Sequence, residues 1–164
     1  MQTGVVVGLG SNVGDREKFL FLAKDSLANK TKILQASQLY ESEAWGGIAT
    51  GGNFLNQVLH LQTSLSAHEL LIFCQSIELA SGRNRDQPWG DRTLDIDLLY
   101  YGEQIMQDSS LILPHPYLSQ RKFVLLPLVE ILPDFQHPLT GKTSKQMLLD
   151  CKDTCWVRPF SVDP

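Results

Sequence analysis

The chain has 164 residues, 43% of them apolar and 20% charged, with a net charge of −4. That balance fits one globular domain spanning 1–164 and excludes a disordered chain, and the acidic surplus argues against broad adhesion to nucleic acid or to an anionic membrane. Cys74, Cys151 and Cys155 leave an odd cysteine and no partner pair for the C-x3-C spacing, so reduced thiols are expected rather than disulfides or a zinc site.

The opening segment MQTGVVVGLGSN lacks the basic start and long apolar core of a secretory signal. No run approaches the ~20 apolar residues of a membrane span, and a cytoplasmic location is expected. VVVGLG (5–10) is a β-branched apolar run that reads as a buried strand. Its glycines read as a tight strand-to-helix turn, with Ser11 and Asn12 at the margin of any site. The spacing G-x-G-x-x-x-G is one residue too long for a dinucleotide fingerprint, and no P-loop is present. Asp15 can cap a helix over 15–30 whose apolar positions are Phe19, Leu22, Ala23 and Leu27.

ILQASQLYES (33–42) reads as a weaker strand. FLNQVLHLQT (54–63) alternates, with Leu55, Leu59 and Leu61 on one side and Phe54, Asn56 and His60 on the other. A capping box from Ser66 to Glu69 opens a helix over 66–82 with a stripe through Leu70, Cys74, Ile77 and Ala80. A polar loop leads into a strand at 93–101. The order β-α-β-β-α-β predicts an α+β, ferredoxin-like antiparallel sheet with both helices on one face and an appended, proline-rich C-terminal lobe beyond 102.

The last strand poses the question of function. In WGDRTLDIDLLYYG (89–102), Leu94, Ile96, Leu98 and Tyr100 are expected on the core face, and Asp95 and Asp97 on the other. Carboxylates at i and i+2 of a strand lie about 6.7 Å apart at Cα and can converge on a hard cation. Mg²⁺ suits such a pair, filling its remaining positions with water and phosphate oxygens. Three arginines, Arg83, Arg85 and Arg92, fall just before the pair, and a planar guanidinium fork matches phosphate. Polyphosphate transfer needs this combination, because its catalysis is mostly positioning and charge neutralisation. The loop GRNRDQPWGDR also carries Trp89. LPHPYLSQRKF (113–123) adds His115, Arg121 and Phe123. Trp45, Phe54, Trp89 and Phe123 suffice to sandwich a flat heterocycle, with the Asn56 amide able to read its edge.

These blocks, GLGSN, FLNQV, IELASGRNR, WGDRTLDIDLLYYG and LPHPYLSQRKFVLLPLVEI, resemble the 6-hydroxymethyl-7,8-dihydropterin pyrophosphokinases over nearly the whole length. The resemblance implies transfer of the β,γ-diphosphate of ATP to the pterin hydroxymethyl oxygen, releasing AMP, in folate biosynthesis. It implies two Mg²⁺ held by Asp95 and Asp97, with Arg83, Arg92, His115 and Arg121 on the phosphates and the catalytic role shared by Arg83, Arg92, Asp95 and Asp97. Gln75, Glu78 and Arg85 fall at nucleotide-side positions, and Trp89 at the loop tryptophan that closes over the site. Ser42, Ala44, Trp45, Phe54, Asn56 and Phe123 fall at pterin-side positions. A monomer acting on ATP and pterin, without nucleic acid, membrane or a fused pathway enzyme, is expected.

Three departures stand out. YESEAWG replaces the usual Y-x-T-x-P-x-G, Phe54 stands where tyrosine is common, and the loop between Arg85 and Trp89 is one residue short with Asp86 in a commonly basic place. Other bearers of the same element order include RNA-recognition modules, but an aspartate-lined face would repel phosphate unless a cation were present. Paired aspartates also occur in nucleases, which have no use for a pterin-sized aromatic pocket.

Overall fold

The computed structural model describes residues 2–45, 52–82 and 92–161. The predicted loop residues Arg83, Arg85 and Trp89 lie outside them. Strand β1 (Thr3–Ser11) leads into helix α1 (Arg16–Leu27), where Asp15 accepts from the Lys18 backbone N–H as expected of a cap. The segment read as one weak strand is two short ones, β2 (Lys32–Ala36) and β3 (Tyr40–Ser42). Both pair with the long β4 (Phe54–Thr63). The break falls at Ser37, whose Oγ accepts from Val58 N–H at 3.0 Å while its carbonyl accepts from Gln57 Nε2 at 2.7 Å.

Helix α2 (Ala67–Ala80) carries the capping box of Ser66 and Glu69, and Gly82 follows its end at φ 86°, a left-handed conformation suited to glycine. Strand β5 (Asp95–Tyr101) comes next, then the small hairpin β6 (Met106–Gln107) and β7 (Ile112–Leu113). Helices α3 (Lys122–Ile131) and α4 (Ser144–Asp150) and strand β8 (Val157–Pro159) complete the described chain. The main sheet is antiparallel at every pairing, in the order β5-β1-β4-β3-β8, with β2 also on β4.

The main core lies between one sheet face and α1 and α2. Val5, Val7 and Leu9 of β1, Leu55, Leu59 and Leu61 of β4, and Ile96 and Leu98 of β5 meet Leu20, Ala23, Leu27, Leu70, Cys74 and Ile77. Each fully buried Leu or Val in that layer contributes roughly 1.5–3 kcal/mol. Two helix expectations need correction. Leu22 is 44% exposed and Leu20 is the buried residue of that turn, and Ala80 is exposed at the end of α2. In α1, the positions that meet the sheet are spaced at three and four residues from Leu20, which leaves Leu22 on the flank.

The sheet face that carries Asp95 and Asp97 is not wholly open. Val6, Val58, Leu99 and Tyr100 on that face are covered by Leu118, Val124, Leu125, Leu128 and Met147 from the C-terminal elements. Tyr100 therefore does not share a face with Leu94, Ile96 and Leu98. The β1–β5 register slips by one residue, from Val7↔Leu98 to Val6↔Tyr100, so Leu99 is an extra residue and the alternation is reset beyond it. The end of the second face nearest the start of β5 stays open, and it is floored by Gly8 and Gly10.

Candidate active site

A cavity of about 250 Å³ opens on that end of the sheet. Gly8 and Gly10 lie inside β1, not in the turn that the sequence suggested; only Gly14, at φ 74°, belongs to the turn. Their missing side chains leave the floor flat. A Cβ on Gly10 would sit 3.6 Å from Asn56 Oδ1 and 3.8 Å from Phe54 Cδ1, the groups that form one wall.

Of the site residues expected from sequence, Ser42, Trp45, Phe54, Asn56, Arg92, Asp95, Asp97, His115, Arg121 and Phe123 all line this cavity. Ala44, Gln75 and Glu78 are not among its described walls. Glu78 is buried on the helix side, where its Oε2 accepts from the Ile96 backbone N–H at 3.1 Å, between the two aspartates of β5. Glu43, Gln57 and Tyr117 join the lining without having been singled out. Glycines at alternate positions of a strand opposite Val5, Val7 and Leu9 were the available signal for the floor. Tyr117, two residues past His115, had none beyond its aromatic ring.

At the aromatic end, Asn56 Nδ2 donates to Ser42 Oγ at 2.8 Å and to the Tyr40 carbonyl at 3.3 Å. A carbonyl can only accept, so this contact fixes the amide's orientation and turns Oδ1 toward Gly10. The amide oxygen is thereby presented to the cavity beside the Phe54 ring as an acceptor for a heterocycle N–H.

At the charged end, Asp95 and Asp97 are half-buried and Arg121 is buried, its Nη1 3.8 Å from Asp97 Oδ2. The Arg121 guanidinium lies 4.8 Å from the centre of the Trp45 ring, 5.2 Å from Tyr117 and 5.7 Å from Phe123. This aromatic cage holds the cation in place between the two ends of the cavity. Burial lowers the Arg121 pKa, with Asp97 and Asp95 pulling it back, and a guanidinium stays charged throughout.

His115 is neutral at physiological pH. Burial pushes its pKa down to about 4, assisted by Arg121 and opposed by Asp95. Its Nδ1 faces the Tyr117 backbone N–H at 3.2 Å and accepts from it, which leaves the ring proton on Nε2. A neutral donor with a fixed tautomer can bond a phosphate oxygen without first losing or gaining a proton.

Asp95 and Asp97 supply hard oxygen donors, and among the described residues no group of three or more His, Cys, Asp or Glu forms around them. Two carboxylates without softer ligands fit Mg²⁺, which keeps positions for water and substrate oxygens.

The family model of the 7,8-dihydro-6-hydroxymethylpterin-pyrophosphokinases matches residues 6–133. The chain belongs to this family. It is 42% identical over 142 residues to the 2-amino-4-hydroxy-6-hydroxymethyldihydropteridine pyrophosphokinase of Aquifex aeolicus, covering 87% of this chain and 88% of that one. The Synechocystis enzyme of the same name is 39% identical over 160 residues, covering 95% and 81%. Among solved structures, a Plasmodium falciparum HPPK-DHPS chain superposes with a TM-score of 0.71 over 92% of this chain at 14% identity, which establishes likeness of fold. The chain spans 43% of that longer protein. The expected family is thus borne out, and members of this pyrophosphokinase family transfer a diphosphate from ATP to hydroxymethyldihydropterin. Among the described residues no helix is long and apolar enough to cross a membrane.

Proposed function

We propose that this cavity transfers the β,γ-diphosphate of ATP to the hydroxymethyl oxygen of 6-hydroxymethyl-7,8-dihydropterin, giving AMP and the pterin diphosphate for folate biosynthesis. The observation that carries the reading is the cavity's polarity. A flat aromatic and amide end, Phe54, Phe123 and Asn56, adjoins a charged end, Asp95, Asp97, Arg92, His115 and Arg121. One substrate is a flat heterocycle rich in donors, and the other is a polyanion.

In this reading the pterin lies between the Phe54 and Phe123 rings, its edge read by Asn56 Oδ1 and by the chain around Ser42, Ala44 and Trp45. Asp95 and Asp97 would hold the two Mg²⁺, which when bound would neutralise the triphosphate and lower the charge barrier to attack at the β-phosphorus. Arg92 and Arg121 supply fixed positive charge to the phosphates, and His115 donates Nε2–H to a phosphate oxygen. Arg83, Arg85 and Trp89 from the preceding segment, with Gln75 and Glu78 from α2, are assigned to the nucleotide side. The hydroxymethyl oxygen bonds to the β-phosphorus as the bridge to the α-phosphate breaks, AMP leaving with the bond's electrons. The released proton passes to solvent or phosphate, and the catalytic gain comes from alignment and charge rather than from a strong base. The β1-α1-β2/β3-β4-α2-β5 core corresponds to a ferredoxin-like arrangement with the C-terminal elements as an appended lobe of one domain, 1–164. A monomer in the cytoplasm suits small, soluble substrates.

The test is product analysis with ATP, Mg²⁺ and 6-hydroxymethyl-7,8-dihydropterin. AMP formed in step with pterin diphosphate is expected. ADP as the nucleotide product, or no turnover, would refute the assignment.

A further inference from the structure

Asn12 stands just past the end of β1 and is 3% exposed, yet it does not line the cavity. Its contacts explain why it is buried there. The Asn12 backbone N–H donates to the Arg92 carbonyl at 3.0 Å, and its Oδ1 accepts from the Arg92 backbone N–H at 2.6 Å. One residue thus holds both peptide groups of Arg92. The β1–β5 ladder runs as far as Gly10↔Asp95. Beyond it, the side-chain amide of Asn12 takes the place of a backbone carbonyl and extends the pairing to Arg92, a substitution to which asparagine is suited.

The other end of the same amide turns elsewhere. Asn12 Nδ2 donates to the Gly52 carbonyl at 3.4 Å, two residues ahead of Phe54. Arg92 enters the charged end of the cavity, and Phe54 walls the aromatic end. A single buried side chain therefore ties the main chain on one side of the site to the main chain on the other. Only an amide carries an acceptor and a donor at this reach. Aspartate keeps the acceptor alone, and alanine keeps neither.

We propose that Asn12 is a positioning residue for diphosphate transfer, setting Arg92 relative to the wall that holds the heterocycle. This rests on the function proposed above. Asn12 acts through Arg92 and Gly52 and touches neither substrate.

The experiment compares Asn12→Ala and Asn12→Asp with the unaltered chain. It measures AMP formation, the KM for each substrate and thermal unfolding, with kinetics run well below every midpoint. Asn12→Ala frees the Arg92 N–H and the Gly52 carbonyl together, and should lower kcat about ten- to a hundredfold and raise the pterin KM. Asn12→Asp should recover kcat to within about tenfold, because its oxygen still receives the Arg92 N–H, while the pterin KM stays raised. A residue that only stabilised the fold would lower the midpoints and leave this split unseen. Unchanged kcat and KM in a folded Asn12→Ala protein would overturn the role, as would an Asn12→Asp protein no better than Asn12→Ala. If Asn12→Ala does not fold, Asn12→Asp decides: a raised pterin KM with near-normal kcat supports the role, and an unchanged KM refutes it. Absence of turnover in the unaltered chain would instead refute the proposed function, and this role with it.

Discussion

Replacing Asp97 by asparagine changes one charge and almost no volume, so its effects on folding and on turnover can be separated. Asp97 Oδ2 stands 3.8 Å from Arg121 Nη1, with the two side chains 33% and 9% exposed. Unit charges at that distance attract by about 4 kcal/mol at an effective dielectric of about 20, and by about 1 kcal/mol in bulk water. With Asp97 a third exposed, solvent screening brings the loss toward the lower figure, about 1–2 kcal/mol. The same change removes repulsion from Asp95, about 6.7 Å along the strand, worth about 0.6–2.5 kcal/mol over the same dielectric range. The two effects nearly cancel. The unliganded midpoint should move by about 2–4 °C at most, the shift expected for ~1 kcal/mol in a chain of this size.

Turnover should respond very differently. Losing one of the two carboxylates proposed to hold Mg²⁺ should lower AMP formation at least about a hundredfold. The assay pairs steady-state AMP formation with thermal scans in chelator and again in Mg–ATP. The unaltered protein should gain stability from Mg–ATP, and the variant should lose most of that gain. Turnover within tenfold of the unaltered chain would refute the reasoning. So would an unliganded midpoint lower by more than about 10 °C, which would make Asp97 chiefly a structural partner of Arg121.

Gly10→Val should raise the pterin KM about tenfold or more while Gly10→Ala stays near normal, since a single Cβ meets Asn56 and Phe54 at 3.6–3.8 Å and further methyls must enter the cleft; steady-state kinetics with circular dichroism checks this. His115 titrates at about 4 when folded against 6.5 unfolded, so the unfolded chain binds the extra proton and stability falls as pH drops from 6.5 toward 4. The contribution lost by pH 4.5 is about 2–3 kcal/mol, and His115→Asn should flatten that slope in urea unfolding at the two pH values. Glu41 is bonded to Arg16 at 2.8 Å and to Arg158 at 2.9 Å. Burial pushes its carboxyl upward in pKa, and the two arginines more than reverse this. Glu41→Ala should cost about 1–2 kcal/mol in urea unfolding, through loss of the tie between α1, β3 and β8, with little change in kcat.

The sequence alone determined what depends on local chemistry. The Asp15 cap, the Ser66–Glu69 box, the alternation of β4 and the outward placement of Asp95 and Asp97 follow from hydrogen-bonding groups and side-chain period within a few residues. The motif blocks carried the family because their residue types and spacing are themselves the chemistry. Tertiary structure decided what depends on partners distant in the chain. Tyr100 changes face because β5 slips against β1 at Leu99, and a slip belongs to a pair of strands, not to one. Gly8 and Gly10 become a cleft floor because β4 and β5 flank them with Phe54, Asn56 and Asp95. Part of the second sheet face is closed by Leu118, Val124, Leu125, Leu128 and Met147, since apolar residues there gain more from covering Val58 and Tyr100 than from facing water. Asn12 looked incidental in a glycine-rich turn because its partners, Gly52 and Arg92, stand 40 and 80 residues away.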